Sequence, residues 1–549
     1  MKQFAHKYWY FSIGLFVSLW LMTGIFAESW DLTKDKRYTL APTTTMMLSS
    51  IQEPIQIDVF LNGPLPPEYQ RLRREVQLFI DRLENRSPWI QVNYIDPFAE
   101  EENPTAVAQM MSSYGLTPEN IFEQDATGVN QQFIFPWIII NRADRSVRVK
   151  LTQDQLGLNS VEKVQRSIEQ LEYLFIDGID QLLGSKTQTI GVVRSHGCSP
   201  DIALYDLLKS LGKYYNIAPI DLKKTDELQD VKGLVNKMDL LLISNPKESF
   251  STTEQYVLDQ HLMQGGRALW LLQTVGIDRD SLFTQSGQAV AYKRDLNLDP
   301  LFFKYGIRLS SDMAQDIFSA PIVLAQGDHN SSQFIPFPWP YYPLPRPNFM
   351  GEKTAAVWLR FPGVLDTLKN QLSKTILLSS SPRSRKIKTP KLVQLNEVEN
   401  KIDPSRFDQG PLPIGVLVEG TFTSAFTNRI IPESKDTFKR SGKTRLVVIA
   451  DGHLGENQTD KGSPLPLGYD KWTRNTYENL SFLTNITHYL LGQSSRLDMQ
   501  SKSYQVAYLN AEKVKRSGDY WKIVLTLATI VWFVLLYWGM NFSRSKGLN

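Results

Sequence analysis

Two uncharged apolar runs bracket the chain. Tyr8–Ala27 reads YWYFSIGLFVSLWLMTGIFA, and Ile523–Met540 reads IVLTLATIVWFVLLYWGM. A membrane-spanning helix needs ~20 apolar residues. Tyr8, Trp9 and Tyr10 open the first run, and Trp521, Tyr537 and Trp538 flank the second, as interfacial aromatics do. Lys2 and Lys7 precede the first run without an acid, and Arg544 and Lys546 follow the second. The pattern predicts a two-span protein of the inner membrane with both termini cytoplasmic and its bulk in the periplasm. A cleaved signal peptide fits less well: its apolar part would be ~7–15 residues, and Ile25-Phe26-Ala27 lacks the small residue two before Ala27. Lys513, Lys515, Arg516 and Lys522 fall on the far side, but the first helix usually dominates orientation. Ser12, Gly14 and Ser18 in the first run, and Thr526 and Thr529 in the second, are the expected helix-packing positions.

Between the runs the period switches repeatedly. IQIDVFLNG (55–63) alternates as a strand does, and 66–84 carries Leu72, Val76, Phe79, Ile80 and Leu83 at helical spacing. WIQVNYIDPF (89–98) is a second strand and 105–114 a short helix. FIFPWIIINR and SVRVKL are predicted to pair around Ala143-Asp144, and 161–183 reads as one long helix. The order βαβαββα predicts a thioredoxin-like domain; its redox chemistry needs two neighbouring thiols, and Cys198 is the one cysteine of the chain.

A second α/β unit starts at Thr189. TIGVVRSHG (189–197), MDLLLISNP (238–246) and RALWLLQ (267–273) read as buried parallel strands, with helices over 201–214 and 251–263 and a stop at Gly265-Gly266. This predicts a doubly wound parallel sheet. Phe334–Phe349 holds six prolines among aromatics, so it is neither helix nor central strand; it reads as a packed extended connector, or else as a polyproline docking strip. LPIGVLVEGTF, then TRLVVIADGHLGEN (444–457), are strands, and 477–491 is a helix.

The predicted organisation is cytoplasmic 1–7, membrane helix 8–27, thioredoxin-like domain 28–185 and α/β domain 186–275. An insertion, 276–442, and the closing part of the α/β domain, 443–495, follow. A linker, 496–521, leads to the second membrane helix, 522–541, and a cytoplasmic tail, 542–549.

Composition adds limits. The chain has 549 residues, enough for several cores. Its 60 basic and 57 acidic residues leave +3, which gives no case for nucleic acid. A lone cysteine excludes an intrachain disulfide and paired-thiol metal sites. No Walker-type phosphate loop is present, so any ATP must be held by another subunit.

Ser195-His196-Gly197-Cys198 ends a parallel strand, where α/β sheets bind ligands. Asp451-Gly452-His453 ends another. Ser195, His196, Gly197, Asp451 and His453 are the candidate ligand contacts. A His–Cys nucleophile pair is a weaker reading, because Ser199-Pro200 breaks the sharp glycine-flanked turn that such a cysteine needs. A metal shared with Asp239 or Glu419 lacks supporting spacing. No catalytic residue, metal or cofactor is predicted.

Five stretches carry a family resemblance: DLTKDKRYTL (31–40), VFLNGPLPPEYQRLRRE (59–75), LDQHLMQGGRALWLL (258–272), PLPIGVLVEGTFTSAFTNR (411–429) and PLPLGYDKWTRNTYENLSFLTNITHYLLG (464–492). In order and spacing they resemble the gliding-motility-associated ABC-transporter auxiliary protein family GldG of Bacteroidetes, nearly from end to end. The resemblance implies a non-enzymatic auxiliary subunit, an ABC permease as partner, and a cytoplasmic ATPase reached through it. It implies no established substrate. The family's histidine turn usually reads Gly-His-Gly followed by an acid; here it is Ser195-His196-Gly197-Cys198. The alternatives are a membrane-anchored hydrolase of amidotransferase-like fold or glycosidase kind, and a ligand-free scaffold.

Overall fold

The computed structural model describes residues 31, 33, 36, 38–99, 103–125, 128–152, 159–223, 228–284, 286–326, 333–348, 355–432, 437–493, 517, 518, 520–532 and 534. Leu40–Lys502 form one compact unit, and Met1–Thr39 with Ser503–Asn549 form another.

The first sheet of the large unit holds β1 (Ile55–Val59), β2 (Ile90–Tyr94), β5 (Trp137–Arg142) and β6 (Arg145–Lys150); between β2 and β5 the chain makes a separate hairpin, β3 (Glu119–Asp125) and β4 (Gly128–Ile134). The order is β2-β1-β5-β6, with β1 parallel to β2 and antiparallel to β5. The helix Pro67–Arg86 buries Tyr69, Leu72, Val76, Phe79, Ile80 and Leu83, the stripe that its spacing predicts. The stretch expected as one helix over 161–183 is two, Ser160–Glu169 and Leu171–Leu183, broken at Gln170. The second piece packs on β5 and β6. A Cβ at Gly178 would stand 2.7 Å from Ile140 and Val149, so glycine sets that close approach. The β3–β4 hairpin was not expected: ENIFEQD has no alternating apolar face.

The second sheet begins with β7 (Thr189–Val193), β8 (Asn216–Ile220), β9 (Leu240–Ser244) and β10 (Arg267–Leu271). Smaller strands follow: β11 (Val275–Gly276), β12 (Gln288–Lys293), β13 (Ile307–Asp316), β14 (Ile322–Gln326), β15 (Gln333–Phe337) and β16 (Gly363–Thr367). Next come β17 (Ser373–Ser379), β18 (Ser384–Ile387), β19 (Lys391–Gln394), β20 (Pro413–Thr423) and β21 (Ser441–Ile449). The large sheet has the order β17-β20-β21-β10-β9-β7-β8. Pairing is parallel from β8 through β21 and antiparallel at β20 and β17. Every residue of β9 is buried, as a strand covered on both faces requires.

Two strands of this sheet, β17 and β20, come from the stretch 276–442 that the sequence reads as an insertion. That boundary is corrected: only β11–β16, β18 and β19 lie outside the large sheet, as three small sheets. The misreading arose because β20 follows a long irregular stretch and returns antiparallel, which breaks the strand–helix alternation. The helix Thr252–Met263 starts on a Ser251–Glu254 capping box and ends before Gly265, whose φ of +95° suits glycine. Its residues Gln255–Met263 are all buried. Asp259 accepts hydrogen bonds from the Tyr305 hydroxyl, Ser424 Oγ and Ala425 N–H, so polar positions there are structural ties.

The proline-rich stretch is a packed connector. Phe334–Phe337 lie in β15 of a two-stranded ribbon, while Trp339 and Tyr341 are fully buried.

In the smaller unit, the Asp31 carboxylate accepts from Thr33 N–H (3.0 Å), Tyr38 N–H (2.9 Å) and Thr39 Oγ1 (2.8 Å). Residues 520–532 and 534 are helical, with exposed Ile523, Leu525, Leu527, Ile530, Val531, Trp532 and Val534. Among the described residues no helix is long and apolar enough to cross a membrane. The run Tyr8–Ala27, with Ser12, Gly14 and Ser18, lies outside the described residues, as does the end of the second run. Thr526 and Thr529 donate to the carbonyls of Lys522 (2.7 Å) and Thr526 (2.8 Å), so their protons serve their own helix.

Candidate functional site

Both histidine turns stand at the carboxyl end of the large sheet, after β7 and after β21, with β9 and β10 between them. The chain leaves β7 for β8 on one side and then crosses to β9, β10 and β21 on the other. The β7–β9 boundary is therefore where the strand order reverses, the position at which open α/β sheets bind ligands.

The first turn is closed. His196 and Gly197 take positive φ (62° and 61°), and the His196 carbonyl accepts Lys247 N–H (2.7 Å) and Glu248 N–H (3.0 Å). The imidazole stacks on Phe250 at 4.0 Å and is fully buried. Its Nδ1 is 2.9 Å from Ser195 Oγ, which also accepts Leu222 N–H. Nε2 lies 3.2 Å from Glu254 Oε2, an ion-pair distance without the angles of a hydrogen bond. Burial lowers the His196 pKa, and Glu254 only partly opposes that. Cys198 is partly buried against the core, and burial pushes its thiol up to about 12. A thiol held protonated is a poor nucleophile. The ring partners of His196 are Ser195 and Glu254, so the His–Cys pair considered from the sequence is not assembled.

The second turn is a hub. Asp451 is fully buried; it accepts Arg360 N–H (2.6 Å) and His453 N–H (2.8 Å), and burial raises its pKa to about 6. His453 Nδ1 lies 2.6 Å from Glu456 Oε2, and burial lowers its pKa to about 4. Glu456 Oε1 accepts Ser199 Oγ (2.7 Å) from the loop after β7 and Asn245 Nδ2 (2.8 Å) from the loop after β9. Burial alone would raise the Glu456 pKa; the His453 hydrogen bond and the Arg360 charge hold it well below the usual carboxylate range. The buried Arg360 guanidinium donates to the carbonyls of His453 and Glu456. Arg294 donates to Asn245 Oδ1 (3.1 Å) and Pro246 O (3.2 Å), and Gln273 Oε1 accepts Gly452 N–H (3.0 Å).

Of the sequence candidates, the structure brings Asp451 and His453 into this cluster, while Ser195, His196 and Gly197 form the separate turn. Asp239 and Glu419 belong elsewhere: Asp239 precedes β9 and accepts Thr189 N–H, and Glu419 pairs with Arg445. Among the described residues no group of three His, Cys, Asp or Glu side chains is placed to hold a metal ion. The residues missed from sequence are Ser199, Asn245, Arg294, Arg360 and Glu456. Glu456 had a readable signal, an acid three residues beyond a histidine in a polar strand-end loop; Arg360 had none.

Comparison with known proteins follows this architecture. A family model described as ABC-type uncharacterized transport system matches residues 187–486, the whole large sheet. A domain of unknown function matches 34–141. An uncharacterized protein of Borreliella burgdorferi is 19% identical over 543 residues, covering 94% of each chain. A solved mmIFT52 N-terminal domain is 16% identical, covers 56% of this chain and 98% of its own, and superposes with a TM-score of 0.33. With more than half its length matched by that model, and the candidate cluster inside the match, the chain belongs to the ABC-type uncharacterized transport system family, whose members are accessory components of transport systems.

Proposed function

We propose that this chain is a non-enzymatic auxiliary subunit of an inner-membrane ABC-transporter complex of the gliding-motility-associated kind. Its two terminal apolar helices pack on the permease, and a cytoplasmic ATPase is reached through that permease. The large unit is the periplasmic part, a thioredoxin-like domain followed by a doubly wound domain, and it contacts a ligand or partner. The order β2-β1-β5-β6 supports the first domain reading, and the parallel run from β8 to β21 the second. The observation that carries the reading is the chemistry of the sheet edge. The polar groups around Glu456 are engaged with one another, and the Cys198 thiol is held protonated, an arrangement suited to recognition and not to turnover.

A reporter active only in the periplasm tests the topology. Fused after Ser185 it should be active, and fused after Asn549 it should be silent; a bright signal at Asn549 rejects the two-span arrangement. Replacing Gly14, Thr526 and Thr529 together with leucine keeps both runs apolar but blocks close helix approach. That variant should reach the membrane at normal abundance and lose the permease on purification in mild detergent. Full retention of the permease means that the periplasmic domains hold the complex.

A further inference from the structure

The carboxylate of Glu456 sits beside the strand-order reversal of the large sheet. It is delivered from the loop after β21, across β10, to the β7–β9 boundary, and it is held there by three side-chain groups from three different loops: Ser199 Oγ, Asn245 Nδ2 and His453 Nδ1. The donors are themselves fixed. Asn245 is in a left-handed conformation (φ 49°) with its amide oxygen bound by Arg294, and the Ser199 N–H is donated to Ser244 O (2.9 Å). Arg360 grips the main chain on both sides of the carboxylate, at His453 O and Glu456 O. The side chains of His453 and Glu456 are largely buried and keep 14% and 15% exposure.

We infer that the crevice between the β7 and β9 loops is a carboxylate-binding site that the chain closes with its own Glu456, and that its external ligand is a carboxylate which replaces Glu456 there. This rests on the reading of the sheet edge as the ligand-facing part of the protein, and not on the transport partners. A tethered side chain has an effective concentration of millimolar or more, so a bare monocarboxylate does not displace it. The external ligand therefore carries further contacts beside its carboxylate, as a peptide C-terminus or a carboxylate-bearing polymer end does. A peptide C-terminus and a small organic acid share the recognised group.

Acetate is the probe. In the full-length Glu456→Ala protein, the thermal-unfolding midpoint should rise by roughly 2–4 °C with acetate and saturate, at constant ionic strength set with chloride. The unchanged protein and Glu456→Gln, in which the crevice stays filled, should not respond. Adding Asn245→Leu to Glu456→Ala should abolish the acetate response. Should Glu456→Ala not fold in chloride, its refolded yield in acetate is read instead, and recovery in acetate alone supports the site. Equal midpoints or yields in acetate and chloride, or a response that survives Asn245→Leu, overturn the inference. Either result leaves the auxiliary-subunit reading to its own purification test.

Discussion

The two histidine turns occupy equivalent places in one sheet and do opposite things. Each follows a parallel strand, and each aims Nδ1 at a nearby oxygen, Ser195 Oγ in one and Glu456 Oε2 in the other. The His196 turn buries its ring on Phe250 and ties the loops after β8 and β9 through backbone N–H groups of Leu222, Lys247 and Glu248, on a strained backbone. The His453 turn joins three loops and the 358–361 segment through Glu456, Asp451 and Arg360. Position at a strand end is therefore a weak guide to role. What separates the turns is the residue three places on: Glu456 follows His453, whereas Ser199 follows His196 and serves as a donor to Glu456.

The largest expected difference comes from removing charge from the hub. Arg360→Met leaves the His453 and Glu456 carbonyls without their donor and removes the charge that favours both carboxylates, and should cost about 3–5 kcal/mol in unfolding free energy, read by denaturant titration. A loss under about 1 kcal/mol would show that the hub is dispensable. His196→Ala removes a buried ring stack but no charge, and should cost about 1–3 kcal/mol. If it costs more than Arg360→Met, the comparison is reversed.

Acid response separates the same groups. Burial pushes His453, and also His261 inside the helix Thr252–Met263, down to about 4 from the ordinary 6.5, so their contribution is present above pH 6.5 and lost as pH falls toward 4. Asp451 has a folded pKa near 6, above 3.8, so its contribution is present below 3.8 and lost as pH rises through 6. Between pH 4 and 6 the two trends oppose. Asp451→Asn removes the opposing trend, and stability should fall more steeply from pH 6.5 to 4 than in the unchanged protein. An unchanged slope would contradict the burial of Asp451 as an ionisable group.

The smallest effect is expected at Cys198. Cys198→Ser should change stability by no more than about 1 kcal/mol and leave complex assembly intact, and alkylation of the native thiol at pH 8 should be slow until the protein unfolds. Rapid alkylation of folded protein would point to an activated thiol.

Much of this was readable in the sequence for identifiable reasons. The stripe Leu72–Leu83, the all-buried strand Leu240–Ser244 and the Ser251–Glu254 capping box are local patterns, and each forms as its spacing predicts. Asp451 and His453 stand out in the sequence because strand ends in α/β sheets are where polar loops collect. The β3–β4 hairpin, the break at Gln170 and the membership of β17 and β20 in the large sheet were not readable. The hairpin and the break are local but carry no apolar alternation or breaker residue, whereas the placing of β17 and β20 depends on contacts between distant segments. Arg360 is the sharpest case: it reaches His453 and Glu456 across more than ninety positions, and nothing near it in sequence sets it apart from the other surface-type arginines.

An accessory subunit of the proposed kind is recovered together with its transporter partners and does not need a nucleophilic thiol. Purification of the full-length protein from its own membranes in mild detergent, beside Cys198→Ser, with quantification of every co-purifying chain, tests it most directly. A permease and an ATPase should be recovered in constant ratio to the chain, equally with both forms. Recovery of the chain without either, or loss of function in Cys198→Ser at normal abundance and folding, would contradict it.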